Sequence, residues 1–359
     1  MTSIAKPPVR HPSVRTNGLG LTIRDYEGVM STLCAGCGHD SVTAALVQAA
    51  WELDLEPHRA AKMSGIGCSS KTTAYFMKQS HGFNSVHGRM PSVTTGAATA
   101  NRGLTFIGIS GDGDSLSIGL GQMAHAIRRN VDMLYVIENN GVYGLTKGQF
   151  SASADVGSMS KRGEANEQAP IDPALFALSI GATFVARSFS GDKRQLVPIL
   201  KAGLSHKGLA LVDVISPCVT FNDHEGSTKS YKYTREHEVE AVVADYVPVH
   251  LEITLPDRAA AGAEGGQGEL HVVPMHDGST VRLRSTAAGY DPTDRGSAST
   301  HIRACQQRGE LATGLLFIDE SSRDMHDLMR TTRTPLVDLP WESLCPGAAA
   351  LDALMARYR

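Results

Sequence analysis

From Leu104 to Phe150 an apolar run, LTFIGIS, ends at Gly111-Asp112-Gly113-Asp114, and a helix-length amphipathic segment, SLSIGLGQMAHAIRRN, follows. A second apolar run, VDMLYVIE, ends at Asn139-Asn140, and the loop GVYGLTKGQF closes the stretch. Run, helix, run is the pattern of a βαβ unit with two parallel strands. The alternation continues from Asp172 to Val214 as helix, strand (ATFVARS), helix (DKRQLVPILKAGLSH) and strand (ALVDVIS). The fold predicted is therefore α/β, a doubly wound and mostly parallel sheet. In such a sheet ligands sit just outside the carboxyl ends of the strands, so both polar clusters should face one crevice. Asp112 offers an anionic oxygen and Asn140 a neutral amide oxygen, which suits Mg²⁺ holding a phosphorylated cofactor with part of its coordination open. Gly111 and Gly113 let the backbone approach phosphate, and a helix starting near Ser115 would aim its first N–H groups there.

The spacing is more specific than the composition of either turn. Gly-Asp-Gly, 25 intervening residues, then Asn-Asn resembles the diphosphate-binding motif of thiamine diphosphate enzymes. By that resemblance Asp112 and Asn140 are side-chain Mg²⁺ ligands and the carbonyl of Val142 is a third, with Asp114, Gly144 and Leu145 in the same cofactor-binding turns. A competing pattern, Gly119-x-Gly121-x-x-Ala124, looks like a dinucleotide fingerprint, but it falls inside the predicted helix and not at a strand-to-helix turn.

A chain of 359 residues can bury a full core without staples. Its formal net charge of −3 and the lack of a Lys/Arg block argue against nucleic acid as a partner. No apolar run reaches signal-peptide or transmembrane length, so a cytoplasmic protein without a membrane partner is expected, with its six cysteines as thiols or ligands and not disulfides.

Cys34-Ala35-Gly36-Cys37 leads into a helix, SVTAALVQAAWELDL. A C-x-x-C turn of this kind is a metal site, a redox pair or incidental. His39 beside it reads as a capping or surface residue. A third cysteine, Cys68, follows the strand-like AKMSGIG directly, next to Gly67, Ser69 and Lys71, and a fourth, Cys218, follows ALVDVISP. All four sit in turns at element ends, where strands of one sheet can bring them together. Cys305 in a helical pattern and Cys345 in a terminal loop read as inert. Four thiolates fit zinc or an iron–sulfur cluster equally well. The neighbouring thiamine motif favours the cluster: decarboxylating a 2-oxoacid on thiamine leaves an electron-rich product, and a [4Fe–4S] cluster gives it a one-electron exit that zinc does not.

Taken together, C-x-x-C-G-H, G-I-G-C-S-S, H-G-R, G-D-G-D, N-N-x-V-Y-G-L-T-K-G-Q and the Pro-Cys turn at Cys218 resemble the β subunit of a 2-oxoacid:ferredoxin oxidoreductase. The resemblance covers about residues 20 to 240, and the region from GLLFIDE onward is similar to the 2-oxoglutarate type. Ala35 departs from the family, which commonly has proline there. The resemblance implies CoA-dependent oxidative decarboxylation of 2-oxoglutarate to succinyl-CoA and CO₂, with ferredoxin as the electron acceptor. Pyruvate or a broad range of 2-oxoacids is the alternative, and a non-oxidative thiamine lyase a more distant one. The family's thiamine-activating glutamate belongs to a pyrimidine-binding domain with no counterpart here, so an α subunit carrying it is expected as partner, in an (αβ)₂ assembly.

His87 and Arg89 are suited to gripping phosphate or carboxylate. Lys147, seven residues past Asn140, and Lys71, three past Cys68, are placed to reach the crevice. The resemblance implies that such lysines hold the distal carboxylate of a dicarboxylic 2-oxoacid. The loop LTKGQFSASADVGSMSKRG has the length of a lid or a partner contact. Three parts are expected: an N-terminal arm over residues 1–24, the cofactor domain over 25–244, and over 245–359 a C-terminal extension. The extension should hold the short strands HLEITL, ELHVVPMHD and STVRLRS, the linker DRAAAGAEGGQG, a helix, the apolar strand ATGLLFIDE and a closing loop-helix.

Overall fold

The computed structural model describes residues 11, 13–160, 163–249, 270–287 and 289–358. The first ten residues of the arm, all of HLEITL and the linker DRAAAGAEGGQG lie outside them. A ten-stranded sheet organises the rest.

The helix α1 (Gly38–Glu52) precedes β1 (Ala60–Ser64), the short α2 (Thr72–Tyr75), β2 (His81–Asn84) and α3 (Met90–Ala100). Then come β3 (Thr105–Gly111), α4 (Leu120–Arg129) and β4 (Met133–Asn139), which are the predicted βαβ unit. A two-stranded ribbon, β5 (Val142–Tyr143) and β6 (Gln149–Phe150), leads to α5 (Pro173–Ser179), β7 (Phe184–Phe189), α6 (Lys193–Ser205), β8 (Leu209–Ile215) and α7 (Tyr231–His237). Strands β2, β1, β3, β4, β8 and β7 run parallel side by side. Every residue of β4 and β8 is buried, as expected of strands covered on both faces, which read as unbroken apolar runs.

Beyond β8 the structure departs from the expected division. The boundary near residue 245 falls inside β9 (Glu238–Val247), and β10 (Leu270–Pro274), β11 (Thr280–Ser285) and β12 (Leu311–Ile318) continue the same sheet. β12 pairs antiparallel with β7, and β9 parallel with β12. The parallel sheet would otherwise end at β7 with a long unpaired edge, and β12 covers it with a largely apolar run buried from Ala312 to Ile318. Gly314 makes this closure possible: at φ +96, a Cβ there would lie 2.4 Å from the Val242 carbonyl oxygen on β9.

The described part of the N-terminal arm lies along α1. Asn17 donates to the Trp51 carbonyl and Trp51 returns its indole N–H to Leu21. At the other terminus no described residue after His326 is buried, and Trp341, Leu351 and Tyr358 are exposed. None of the described helices is long and apolar enough to cross a membrane.

Candidate active site

Gly111 and Glu138 are partners in the β3–β4 register, so the next residues of each strand, Asp112 and Asn139-Asn140, leave the sheet side by side. The Asp112 carboxylate accepts the Gly141 N–H at 3.1 Å and the Ser153 hydroxyl at 2.5 Å through Oδ2, and the Ser151 hydroxyl on the same oxygen. Its Oδ1 has only a long 3.4 Å contact from the Asn140 N–H. Asn140 Oδ1 accepts from the Val142 N–H at 3.0 Å. Both strand ends thus keep an oxygen for a ligand, and Gly141, at φ +73, gives the turn its left-handed step.

Between these turns lies a cavity of about 310 Å³ walled by His39, Gly67, Cys68, Ser69, His87, Gly111, Asp112, Gly113, Asp114, Asn140, Val142, Gly144 and Leu145. The expected helix start is altered: Gly113–Ile118 is a π-helical turn, and α4 begins only at Leu120. Single π-turns widen a helix locally and recur at functional sites. Gly119 is the junction, packed backbone to backbone on Gly88, where a Cβ would come within 2.8 Å of Gly88; this packing, not a dinucleotide fingerprint, accounts for that glycine. Asp114 is turned to the sheet side, accepting from Ser110 Oγ at 2.7 Å and from the N–H groups of Gly88 and Ile66. It joins the ends of β1, β2 and β3 and shapes the cavity from behind.

Gly113 is explained by its neighbour as much as by phosphate. A Cβ there would lie 2.5 Å from the Tyr143 ring, whose hydroxyl donates to the Gly113 carbonyl at 3.0 Å. Gly113→Ala is therefore expected to cost about 1–3 kcal/mol by overpacking, seen as a lower thermal midpoint, and to displace the β5–β6 ribbon that carries Val142. An unchanged midpoint would show that Tyr143 yields freely.

The four candidate cysteines are brought to one region. Gly38 packs against the Ser216-Pro217 turn so tightly that a Cβ would come within 2.8 Å of Pro217 N, and its N–H donates to the Pro217 carbonyl. This fastens the Cys34–Cys37 turn to Cys218. Gly144 lies between the other two thiols, where a Cβ would sit 3.5 Å from Sγ of both Cys68 and Cys218. Burial drives the Cys37 thiol up to about 12, with Glu138 and Cys218 adding to it, and raises Cys68 through burial and the nearness of Cys218 against the opposing pull of Lys71. Among the described residues no three or more His, Cys, Asp or Glu side chains converge on one metal-ion position. Cys305 is buried and Cys345 exposed, both away from this group.

The sequence reading missed what lies beneath. His39 is not a surface residue; it is 1% exposed, with Nδ1 2.6 Å from Ser216 Oγ and Nε2 facing the Asn140 amide at 3.5 Å. Its 3.6 Å approach to Glu138 has the distance of an ion pair, but burial pulls His39 down to about 4 and holds Glu138 well above the carboxylate range, which opposes charge on both groups. Thr72 donates to Glu138 from the other side. A carboxyl inside the apolar run VIE was the available signal.

Other expected residues stand further off. Lys71 is half-buried on an adjoining cavity of about 690 Å³ that shares Ile66, Gly67 and Leu145 with the first. His87 is exposed at the mouth, and Arg89 is exposed at the start of α3, outside the cavity wall. Lys147 is exposed on a turn tip at φ +79 and lines neither cavity. The loop taken for a lid is in part a floor, since Ser151, Ser153 and Ala154 are buried.

A parallel-sheet crevice with one free carboxylate oxygen, a neighbouring amide oxygen and glycine-lined strand ends defines the diphosphate-binding half of a thiamine diphosphate enzyme. In agreement, residues 65–214 match the family model of the thiamine pyrophosphate enzyme C-terminal TPP-binding domain. A 2-oxoacid:ferredoxin oxidoreductase subunit beta from Saccharolobus solfataricus is 41% identical over 208 residues, covering 58% of this chain and 68% of the relative. The 2-oxoglutarate oxidoreductase subunit KorB of Mycobacterium tuberculosis is 39% identical over 191 residues, 53% of this chain and 51% of that one. Among solved structures, 2-oxoglutarate:ferredoxin oxidoreductase from Magnetococcus marinus, with 2-oxoglutarate, coenzyme A and succinyl-CoA bound, superposes with a TM-score of 0.68 at 28% identity, over 86% of this chain and 89% of that one. This chain belongs to the family of 2-oxoacid:ferredoxin oxidoreductase β subunits, and relatives of the 2-oxoglutarate type are among those it resembles.

Proposed function

We propose that the chain is the β subunit of a cytoplasmic 2-oxoglutarate:ferredoxin oxidoreductase that makes succinyl-CoA and CO₂ with an α subunit in an (αβ)₂ assembly. The observation that carries this reading is the turn after β4. Asn140 and Val142 wall the diphosphate crevice, and Gly144, two residues on, separates Cys68 from Cys218. A cofactor site and an electron exit then share one turn.

Bound, thiamine diphosphate supplies the carbon nucleophile for the 2-oxoacid and a [4Fe–4S] cluster the one-electron path to ferredoxin. The protein's part is positional. Asp112 Oδ1, Asn140 Oδ1 and the Val142 carbonyl hold Mg²⁺; Gly67, Ser69, Gly111, Gly113 and Leu145 shape the wall against the cofactor, with His87 at its mouth. Cys34, Cys37, Cys68 and Cys218 would ligate the cluster, and the half-buried Cys37 thiol would give up its proton on doing so. Lys71, on the adjoining cavity, is assigned to the distal carboxylate; the position of Lys147 favours an outer contact. Ile118 and Leu145 are exposed at the crevice, an apolar rim that fits coverage by the α subunit with its pyrimidine-binding domain.

A broad 2-oxoacid specificity is the second reading, favoured by the Saccharolobus relative, whose name specifies no single acid. The test is a panel of 2-oxoacids on the co-expressed αβ complex, with CoA and a low-potential dye. 2-Oxoglutarate is expected to reduce the dye fastest, and the single chain to reduce none. Faster reduction with pyruvate would overturn the substrate, and turnover by the chain alone would overturn the half-site.

A further inference from the structure

The Asp112 carboxylate is held unequally: its Oδ2 takes the Gly141 N–H and the hydroxyls of Ser151 and Ser153, while Oδ1 keeps one long contact. Three donors saturate one oxygen and leave the other to a cation. This asymmetry has a chemical consequence. Mg²⁺ demands near-octahedral angles, which the two oxygens of one carboxylate, bound together, cannot span, whereas Ca²⁺ accepts bidentate carboxylates.

Ser153 has a second acceptor behind it. Ser153 Oγ lies 2.9 Å from Asn139 Oδ1, and its single proton serves one acceptor at a time, with the anionic Asp112 the stronger. Asn139 donates through Nδ2 to Asp213 at 3.0 Å. Asp213 accepts from Arg187 Nε at 2.7 Å, and Arg187 also binds Asp172 at 2.6 Å. Arg187 and Asp213 are partners on adjacent strands β7 and β8, both buried. Because Asp213 needs a donor, the Asn139 amide nitrogen faces it and the amide oxygen faces Ser153. Buried charge of this kind is poor evidence for stability and is best attested where it fixes register.

We propose that Ser151 and Ser153 are positioning residues that make Asp112 a one-oxygen ligand and thereby select Mg²⁺ over larger cations. The proposal rests on the reading of Asp112 as a cation ligand.

The test uses the αβ complex, stripped of cation and cofactor by chelation, with thiamine diphosphate uptake followed calorimetrically at rising Mg²⁺ or Ca²⁺. In the Ser151→Ala/Ser153→Ala variant the half-saturating Mg²⁺ is expected to rise about 10-fold or more, the usual effect of losing outer-shell support. Half-saturating Ca²⁺ should change by less than about 3-fold, because a freed carboxylate binds it with both oxygens. Ser153→Ala alone should move Mg²⁺ in the same direction by less. A merely structural role would weaken both cations alike, and that result, or no change in either, overturns the proposal. Asp112→Ala separates the two levels. If it takes up cofactor as the unsubstituted complex does, the cation reading falls and the proposal with it. If it fails while the serine variant matches the unsubstituted complex, the proposal alone falls.

Discussion

Replacing Cys68 with alanine in the co-expressed complex is expected to give a protein without the broad visible absorbance of an iron–sulfur cluster, and dye reduction by 2-oxoglutarate should fall to the blank. The thiol has no substitute nearby: it faces Cys218 across Gly144 and feels the charge of Cys34, with Lys71 opposing. If the four thiols ligate a cluster as proposed, removing one leaves an iron open to solvent. The same arrangement speaks to which metal belongs here. Zinc would draw four sulfurs to about 2.3 Å from a single point, whereas Cys68 and Cys218 face each other across Gly144. A cluster binds each thiolate through a different iron and so tolerates the wider spread. Cys305→Ala is the control, since that thiol is buried on the far helix beside His301 and Arg308. Iron and acid-labile sulfide retained in full by the Cys68 variant, or zinc in place of iron in the unsubstituted complex, would sink the assignment.

What could be read from the sequence follows from what kind of pattern each feature leaves. Asp112, Asn140, Cys68 and Cys218 each follow a strand-like run, and in a parallel sheet strand ends share one face, whereas Cys34 and Cys37 precede α1 and are fastened there by the Gly38 N–H on the Pro217 carbonyl. The groups beneath them pair across long separations, His39 with Glu138 and Asp112 with Ser153, and no local period records that. Their signal was a polar residue inside an unbroken apolar run, as in Glu138 of VIE, Asp213 of LVDV and Arg187 of FVARS. Lys147 shows the opposite error. Seven residues from Asn140 is within reach of the crevice, but the turn that contains it passes through φ +79 at Lys147 and holds the side chain outside. The division near 245 was drawn where composition changes, yet sheet edges are closed by backbone pairing, and β12 supplied the edge that β7 needed.

Asp112→Ala should separate the two halves of the site. Its loss leaves the Gly141 N–H facing a buried hole, an unsatisfied donor costing about 1–3 kcal/mol, while Ser153 can turn to Asn139 Oδ1, and it removes the carboxylate oxygen that Asp112 would offer Mg²⁺. The proposed cluster ligands come from other turns, and the Asn222 amide still ties the Cys218 turn to the Asn140 carbonyl at 2.7 Å. The expected protein is therefore brown but free of thiamine diphosphate, whereas the Cys68 variant is colourless and still takes the cofactor up. Thiamine content by fluorescence after acid release, read beside visible absorbance, distinguishes them. Asp112→Asn keeps the shape and the oxygen but loses the charge, so it should recover cofactor only at elevated Mg²⁺. If Asp112→Ala retained thiamine diphosphate at the level of the unsubstituted complex, the diphosphate would have to be held without this cation ligand, by glycine N–H groups and the π-turn alone.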